Sequence, residues 1–216
     1  MDDSTWTAIE QERRSLADFL DGLSSQQWDA RSLCREWRVR DVAAHLAMTP
    51  AGQPGLGTLA RALAANRGDL WGAGRDVAIA YAQRPPGELV DAVRASAGAR
   101  RKPVFVVDQN ILLDLLVHGQ DIAVPLGLHR PVDPRFATVA LDRIWAMGWP
   151  FRARRRLAGV RLRAADADWE RGEGPEVIGG VADLLLLTTG RTDAALARLA
   201  GAGTHVIRAK ADARTG

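Results

Sequence analysis

Apolar residues recur along the first two thirds of this chain in steps of three, four and seven, the spacing of one helix face. Trp6, Ile9, Leu16, Leu20 and Leu23 mark such a face over residues 4–23, and Asp21-Gly22 with Ser24-Ser25 predict its end. A polar loop carrying Trp28, Cys34 and Trp37 leads to a second helix over 39–48, stopped by Thr49-Pro50. Gln53-Pro54-Gly55 through Gly57 predicts a turn, and Leu56, Leu59 and Leu63 a short helix. Gly68, Gly72 and Gly74 predict a loop over 66–76. Residues 77–83 and 88–97 read as helices interrupted by Pro85-Pro86. The strongest helical pattern covers 108–124 and closes with Pro125-Leu126-Gly127. Asp133-Pro134 then opens a helix running to about Trp149-Pro150, with proline suited to the first turn.

Beyond the cluster Arg152, Arg154, Arg155 and Arg156 the period changes. Val160, Leu162 and Ala164 alternate with Arg161, Arg163 and Ala165, which predicts a strand. Residues 166–174 are rich in turn formers, and Glu176-Val177-Ile178 predicts a second strand. Residues 181–189 form a helix ended by Gly190, 193–199 another, and His205-Val206-Ile207 a last strand. The expected class is mainly α, a helical bundle over 1–153 followed by a small α/β domain over 154–216.

Composition narrows the class further. The chain has 216 residues, 47% hydrophobic and 25% charged, which excludes whole-chain disorder. A single cysteine excludes an internal disulfide and a thiolate zinc finger. The longest apolar runs, 111–117 and 181–187, contain aspartates and fall short of the roughly 20 residues that span a bilayer. Met1-Asp2-Asp3 is acidic where a secretory leader would be basic, so the expectation is a cytoplasmic protein. The net charge of +3 comes from scattered arginines, with only Lys102 and Lys210 as lysines. One short basic cluster is not the stripe that phosphate backbones select, so no nucleic-acid partner is expected.

Chemistry concentrates on residues 108–124. His118 follows Asp114 by four residues, which puts both on one helix face, and Asp121 lies near the same stripe. A carboxylate and an imidazole one turn apart can share a metal ion, with Asp121 orienting a ligand from behind. The neighbours Ile111, Leu112, Leu113, Leu115, Leu116 and Val117 imply burial, and a buried carboxylate calls for a cation or an opposing charge. His45, within Val42-Ala43-Ala44-His45-Leu46, is the candidate third ligand; the alternative is a hydrogen-bonded core histidine. Cys34 reads as a small packed residue, His129 as surface loop and His205 as edge strand. Trp6, Trp28, Trp37, Trp71, Trp145, Trp149 and Trp169 read as packing anchors.

The segment from Cys34 through Trp37, Val39 and Asp41 to His45-Leu46 resembles the C-x-x-W-[ST]-V-x-D-x-x-x-H-L block of DinB-like proteins, and more narrowly the mycothiol-dependent maleylpyruvate isomerase family. Asp114-Leu115-Leu116-Val117-His118, continuing through Asp121-Ile122-Ala123, is similar to that family's E-L-x-V-H-x-x-D-I-A block. Gly174-Pro175-Glu176-Val177 and Thr189-Gly190-Arg191 look like its small C-terminal domain. The resemblance implies a DinB-like four-helix bundle holding a divalent metal, usually zinc, on His45, Asp114 and His118. It also implies mycothiol as thiol cofactor and isomerase or thiol-transferase chemistry. On that reading a small electrophilic substrate lies between the two domains, and Arg191 is a candidate anion clamp, the alternative being a helix-end surface arginine. The alternative is a non-catalytic metal- or ligand-binding DinB-like protein. Two departures stand out: Asp114 replaces a glutamate, and Arg38 replaces the serine or threonine that would cap the helix, worth about 1 kcal/mol.

Overall fold

A computed structural model describes residues 3–48, 55–100 and 107–213. They divide into two compact units, 1–130 and 131–216. The expected boundary at 153/154 falls inside the second unit, because the helix that starts at Pro134 packs on a helix near residue 185. The stop at Thr49-Pro50 and the start of the turn at Gln53-Pro54 lie outside the described residues.

The first unit is helical. Its elements are α1 (Asp3–Asp21), α2 (Ser25–Asp29), α3 (Val39–Met48), α4 (Leu56–Ala65), α5 (Leu70–Tyr81), α6 (Pro86–Ala95) and α7 (Asp108–Ala123). Helices α1 and α3 each pack on both α6 and α7, which makes the expected four-helix bundle. Trp6, Ile9, Leu16 and Leu20 of α1 are buried, as their spacing requires, together with Val39, Val42 and Leu46 of α3 and Leu112 and Leu116 of α7. Helix α5 lies against α3, and α4 against α5.

Helix α5 corrects the loop expected over 66–76. Its N-cap Asp69 accepts a hydrogen bond from the Trp71 amide, which starts a helix seven residues before Val77. Gly68 sits at φ +84° in the preceding turn, but Gly72 is helical and marks a close approach. A Cβ on Gly72 would lie 2.4 Å from the Asn66 side-chain oxygen. The capping box at Ser24 and Gln27, read in the sequence as a stop, in fact begins α2.

The second unit holds α8 (Pro134–Ala146), α9 (Ala153–Arg156), β1 (Arg161–Ala164), β2 (Glu170–Gly172), β3 (Glu176–Gly179), α10 (Val181–Thr188), α11 (Thr192–Leu196) and α12 (Gly203–Asp212). The sheet order is β2-β1-β3, antiparallel between β1 and β2 and parallel between β1 and β3, with Leu162 opposite Val177. Strand β2 lies within the stretch read only as turn formers. Asp133 caps α8 ahead of Pro134, and Gly190, at φ +95°, closes α10 with Arg191 N–H donating to Leu186 O and Gly190 N–H to Leu187 O. The last strand expected at His205-Val206-Ile207 is instead part of α12. Three β-branched or ring residues were too short a run to outweigh the alanine-rich segment after them, and Thr204 and Ile207 are buried on one face of that helix. Arg156 bonds the carbonyls of Phe151, Leu187 and Thr188, so one member of the basic cluster serves as a cap for α10.

Candidate metal centre

The loop between α2 and α3 is a tight structure in its own right. Arg31 and Arg38 form an isolated antiparallel bridge, and Val39 N–H donates to Ala30 O at 2.9 Å. Inside it the Ser32 hydroxyl donates to Trp37 O and accepts from the Cys34 amide, and Trp37 N–H donates to Cys34 O. Leu33 N–H reaches Asp121 O at 3.0 Å and ties the loop to α7. Cys34 and Trp37 are thereby fixed over the last turns of that helix.

His45 projects from the last turn of α3, and Asp114 and His118 from successive turns of α7. His45 Nε2 lies 3.6 Å from Asp114 Oδ2. The two imidazoles meet nearly edge to face, with ring centroids 5.1 Å apart. One donor atom from each of His45, Asp114 and His118 falls within 4.8 Å of the others. Around a tetrahedral zinc, ligands at about 2.0–2.1 Å stand roughly 3.3 Å apart, so this group is slightly open for a cation of that size. The three residues the sequence singled out therefore converge from two helices.

Asp121 is the fully buried carboxylate of the group. Its Oδ2 lies 2.8 Å from His118 Nδ1 and 3.1 Å from Cys34 Sγ, and Sγ is 3.7 Å from Nδ1. With Nδ1 engaged, the His118 Nε2 lone pair is the one available to a cation, the arrangement in which a carboxylate orients a ligating imidazole. Burial acts to lower the His118 pKa, but its hydrogen bonds to Asp121 and Cys34 and the negative charge of Asp121 outweigh it and raise it to about 10. The Trp37 ring packs beside both imidazoles, 5.3 Å from His45 and 6.1 Å from His118 between centroids. Its other side joins Ala62 and Tyr81 against Met48, Val77 and Ala78, so α5 backs the site.

Two sequence readings change. The Asp114 side chain is 48% exposed, so burial does not oblige it to find a cation; convergence with the histidines is what marks the site. Cys34, read as a small packed residue, is half-buried with its thiol against His118 and Asp121, a contact invisible in sequence because 84 positions separate it from His118. Arg191 belongs to the second unit, at the N-cap of α11, where it donates to Thr189 O. His129 and His205 are exposed. Trp6, Trp28 and Trp169 are buried anchors, whereas Trp71 and Trp149 are each 65% exposed.

Residues 9–102 match the family model described as the mycothiol maleylpyruvate isomerase N-terminal domain. The match includes His45 and ends before α7. No curated protein matches the chain in sequence. Two solved structures match its fold. A crystal structure of the mycothiol-dependent maleylpyruvate isomerase aligns with a TM-score of 0.55 and 13% identity, covering 93% of this chain and 92% of the other. A histidine-to-alanine mutant of that isomerase aligns with a TM-score of 0.53 and 12% identity over the same shares. At that identity the likeness is one of fold, and it extends over both units.

Proposed function

From a chain whose residues 9–102 carry the mycothiol maleylpyruvate isomerase N-terminal domain, we propose a metal- and thiol-dependent enzyme acting on a small electrophile. The first unit is its metal-binding domain and the remainder its small α/β domain, and the protein works in the cytoplasm. His45, Asp114 and His118 hold one divalent cation, zinc in this reading, and the thiol is mycothiol. The convergence of their donor atoms within 4.8 Å carries the proposal. Two imidazoles and one carboxylate suit zinc, and three protein ligands leave a position for a further group.

Such a cation supplies Lewis acidity that lets a thiol of ordinary pKa near 8.5 serve as its thiolate at neutral pH, for addition to an activated carbon. The chain's own residues do the rest. Asp121 engages His118 at Nδ1, which leaves Nε2 as the nitrogen for the cation. Trp37 walls the two imidazoles and limits water on that side. Asp114 brings one negative charge from a half-exposed position, which leaves the centre open to solvent and ligand. Addition followed by elimination is isomerisation; retention of the adduct is thiol transfer. Arg191, in the second unit, is proposed as an anion-binding residue, since guanidinium pairs with carboxylate in bidentate fashion.

The second reading is a DinB-like protein that binds metal or ligand without turnover. The exposure and shortness of Asp114 favour it. Calorimetric titration of metal-stripped protein with zinc tests both. The expected result is about one equivalent bound at micromolar affinity or tighter, lost in His45→Ala and His118→Ala and strengthened in Asp114→Glu. Less than about half an equivalent sinks the metal site. With zinc bound, a further thermal shift on adding mycothiol favours the enzyme; no further shift favours the binding protein.

A further inference from the structure

His118 belongs to two different sets of donors. With His45 and Asp114 it forms one, its donor atom within 4.8 Å of theirs. Cys34 and Asp121 stand on the Nδ1 side, and all three atoms there lie within 4.8 Å of one another. We propose that Cys34 Sγ, His118 Nδ1 and Asp121 Oδ2 form a second cation site, selective for thiophilic ions such as cadmium.

The donors stand near enough to share a cation once they open from hydrogen-bond separations. The three separations are 2.8 Å between Nδ1 and Oδ2, 3.1 Å between Sγ and Oδ2, and 3.7 Å between Sγ and Nδ1. A triangle of those sides has a point about 2 Å from every corner, the length of a metal–nitrogen or metal–oxygen bond, with sulfur needing about 0.3 Å more. The donors are also held in place independently of any ion. Cys34 is pinned by its amide on Ser32 Oγ, and the loop is pinned to α7 by Leu33 N–H on Asp121 O. Asp121 is wholly buried, while Cys34 and His118 are only partly so, which gives an ion a way in. Thiolate among the donors makes the site a soft one, preferred by cadmium, mercury or cuprous ions over magnesium or calcium.

Binding replaces hydrogens. The protons on Sγ and on Nδ1 both leave to water, the ion takes their place, and Nε2 carries the ring's remaining proton. In that state His118 has no lone pair left for the His45 and Asp114 side. The two sites therefore compete for one ring, and a thiophilic ion at Cys34 withdraws His118 from the other centre.

The site needs neither His45 nor Asp114, which separates its test from that of the proposed function. Metal-stripped, reduced protein is titrated with cadmium chloride while the ultraviolet thiolate-to-cadmium charge-transfer band is followed, and each variant's fold is checked by circular dichroism. The expected band saturates at about one equivalent in the native protein and in the double variant His45→Ala/Asp114→Ala. It disappears in Cys34→Ser, and in Asp121→Asn and His118→Gln its affinity drops about tenfold or more. Absence of the band in the native protein overturns the site. So does equal affinity in Asp121→Asn and His118→Gln, which means cadmium on a bare thiol, and so does loss of the band in the double variant.

Discussion

Arg38 stands at the N-cap of α3, where its carbonyl accepts the first helical hydrogen bonds from Asp41 and Val42. Its side chain has no oxygen to cap an amide, but half of a capping box survives, because Asp41 Oδ2 accepts from the Arg38 amide at 2.8 Å. The guanidinium adds ion pairs to Asp29 and Asp41 at 3.4 and 3.3 Å, partly exposed and therefore weak. Arg38→Thr restores the other half of the box, and the urea midpoint is expected to rise by the equivalent of about 0.5–1 kcal/mol. A lower midpoint would mean that the pairs to Asp29 and Asp41 outweigh the cap. At His118 the folded protein binds its proton more tightly than the unfolded chain, with a pKa of about 10 against an ordinary value near 6.5. That contribution to stability is fully present below about pH 6.5 and is lost as pH rises through about 10. Urea unfolding of the metal-free protein should therefore weaken between pH 7 and 10, and the slope should flatten in His118→Gln. Zinc affinity at the proposed centre should run the other way, rising with pH, because Nε2 must lose its proton to ligate.

At the scale of elements, α7 carries both the chemistry and the tightest packing. Gly119 sits one residue after His118, facing the Arg130 side chain, and a Cβ there would lie 3.2 Å from the guanidinium. Arg130 has no room to yield, being 4% exposed and bonded to Glu12 at 2.9 Å. Gly119→Ala gains up to about 1 kcal/mol of helix propensity but meets overpacking worth about 1–3 kcal/mol. The net expectation is a less stable protein, read as a lower denaturant midpoint, with zinc binding weakened through the shift of His118 beside it. The elements also differ in how far their sequences declare them. Helices α1, α3, α6, α7, α8 and α10 follow from period and caps, as do strands β1 and β3, to within a few residues. Helix α5 and helix α12 do not. In the first case glycines that serve close packing look like loop formers; in the second a three-residue run with two β-branched members looks like a strand until Gly203, in close approach to Pro175 O and Val177, is seen to seat a helix on β3.

Over the molecule, each unit has its own polar tie. In the first, Glu12 of α1 and Arg130 beyond α7 form an ion pair whose side chains are 7% and 1% exposed. Removing one partner strands a buried charge, so Glu12→Gln should cost about 3–5 kcal/mol by urea unfolding. Replacing both by leucine and methionine should cost much less, which distinguishes charge burial from lost packing. In the second, Asp142 of α8 accepts from Trp169 Nε1 and from Arg171, tying that helix to the edge strand β2.

The identities and spacing of residues along one helix were enough to place Asp114 and His118 on a shared face, to propose His45 as their partner, and to set a helical bundle before a small α/β unit. Period and capping are local properties, and a sequence records local properties directly. Folding itself settled which side chains meet across distances the chain does not encode. It put the Cys34 loop over α7, gave His118 a second set of donors on Nδ1, left Asp114 half in solvent, and paired Glu12 with Arg130. Those meetings depend on how helices pack against one another, and packing sums many weak contacts that no single stretch of sequence contains.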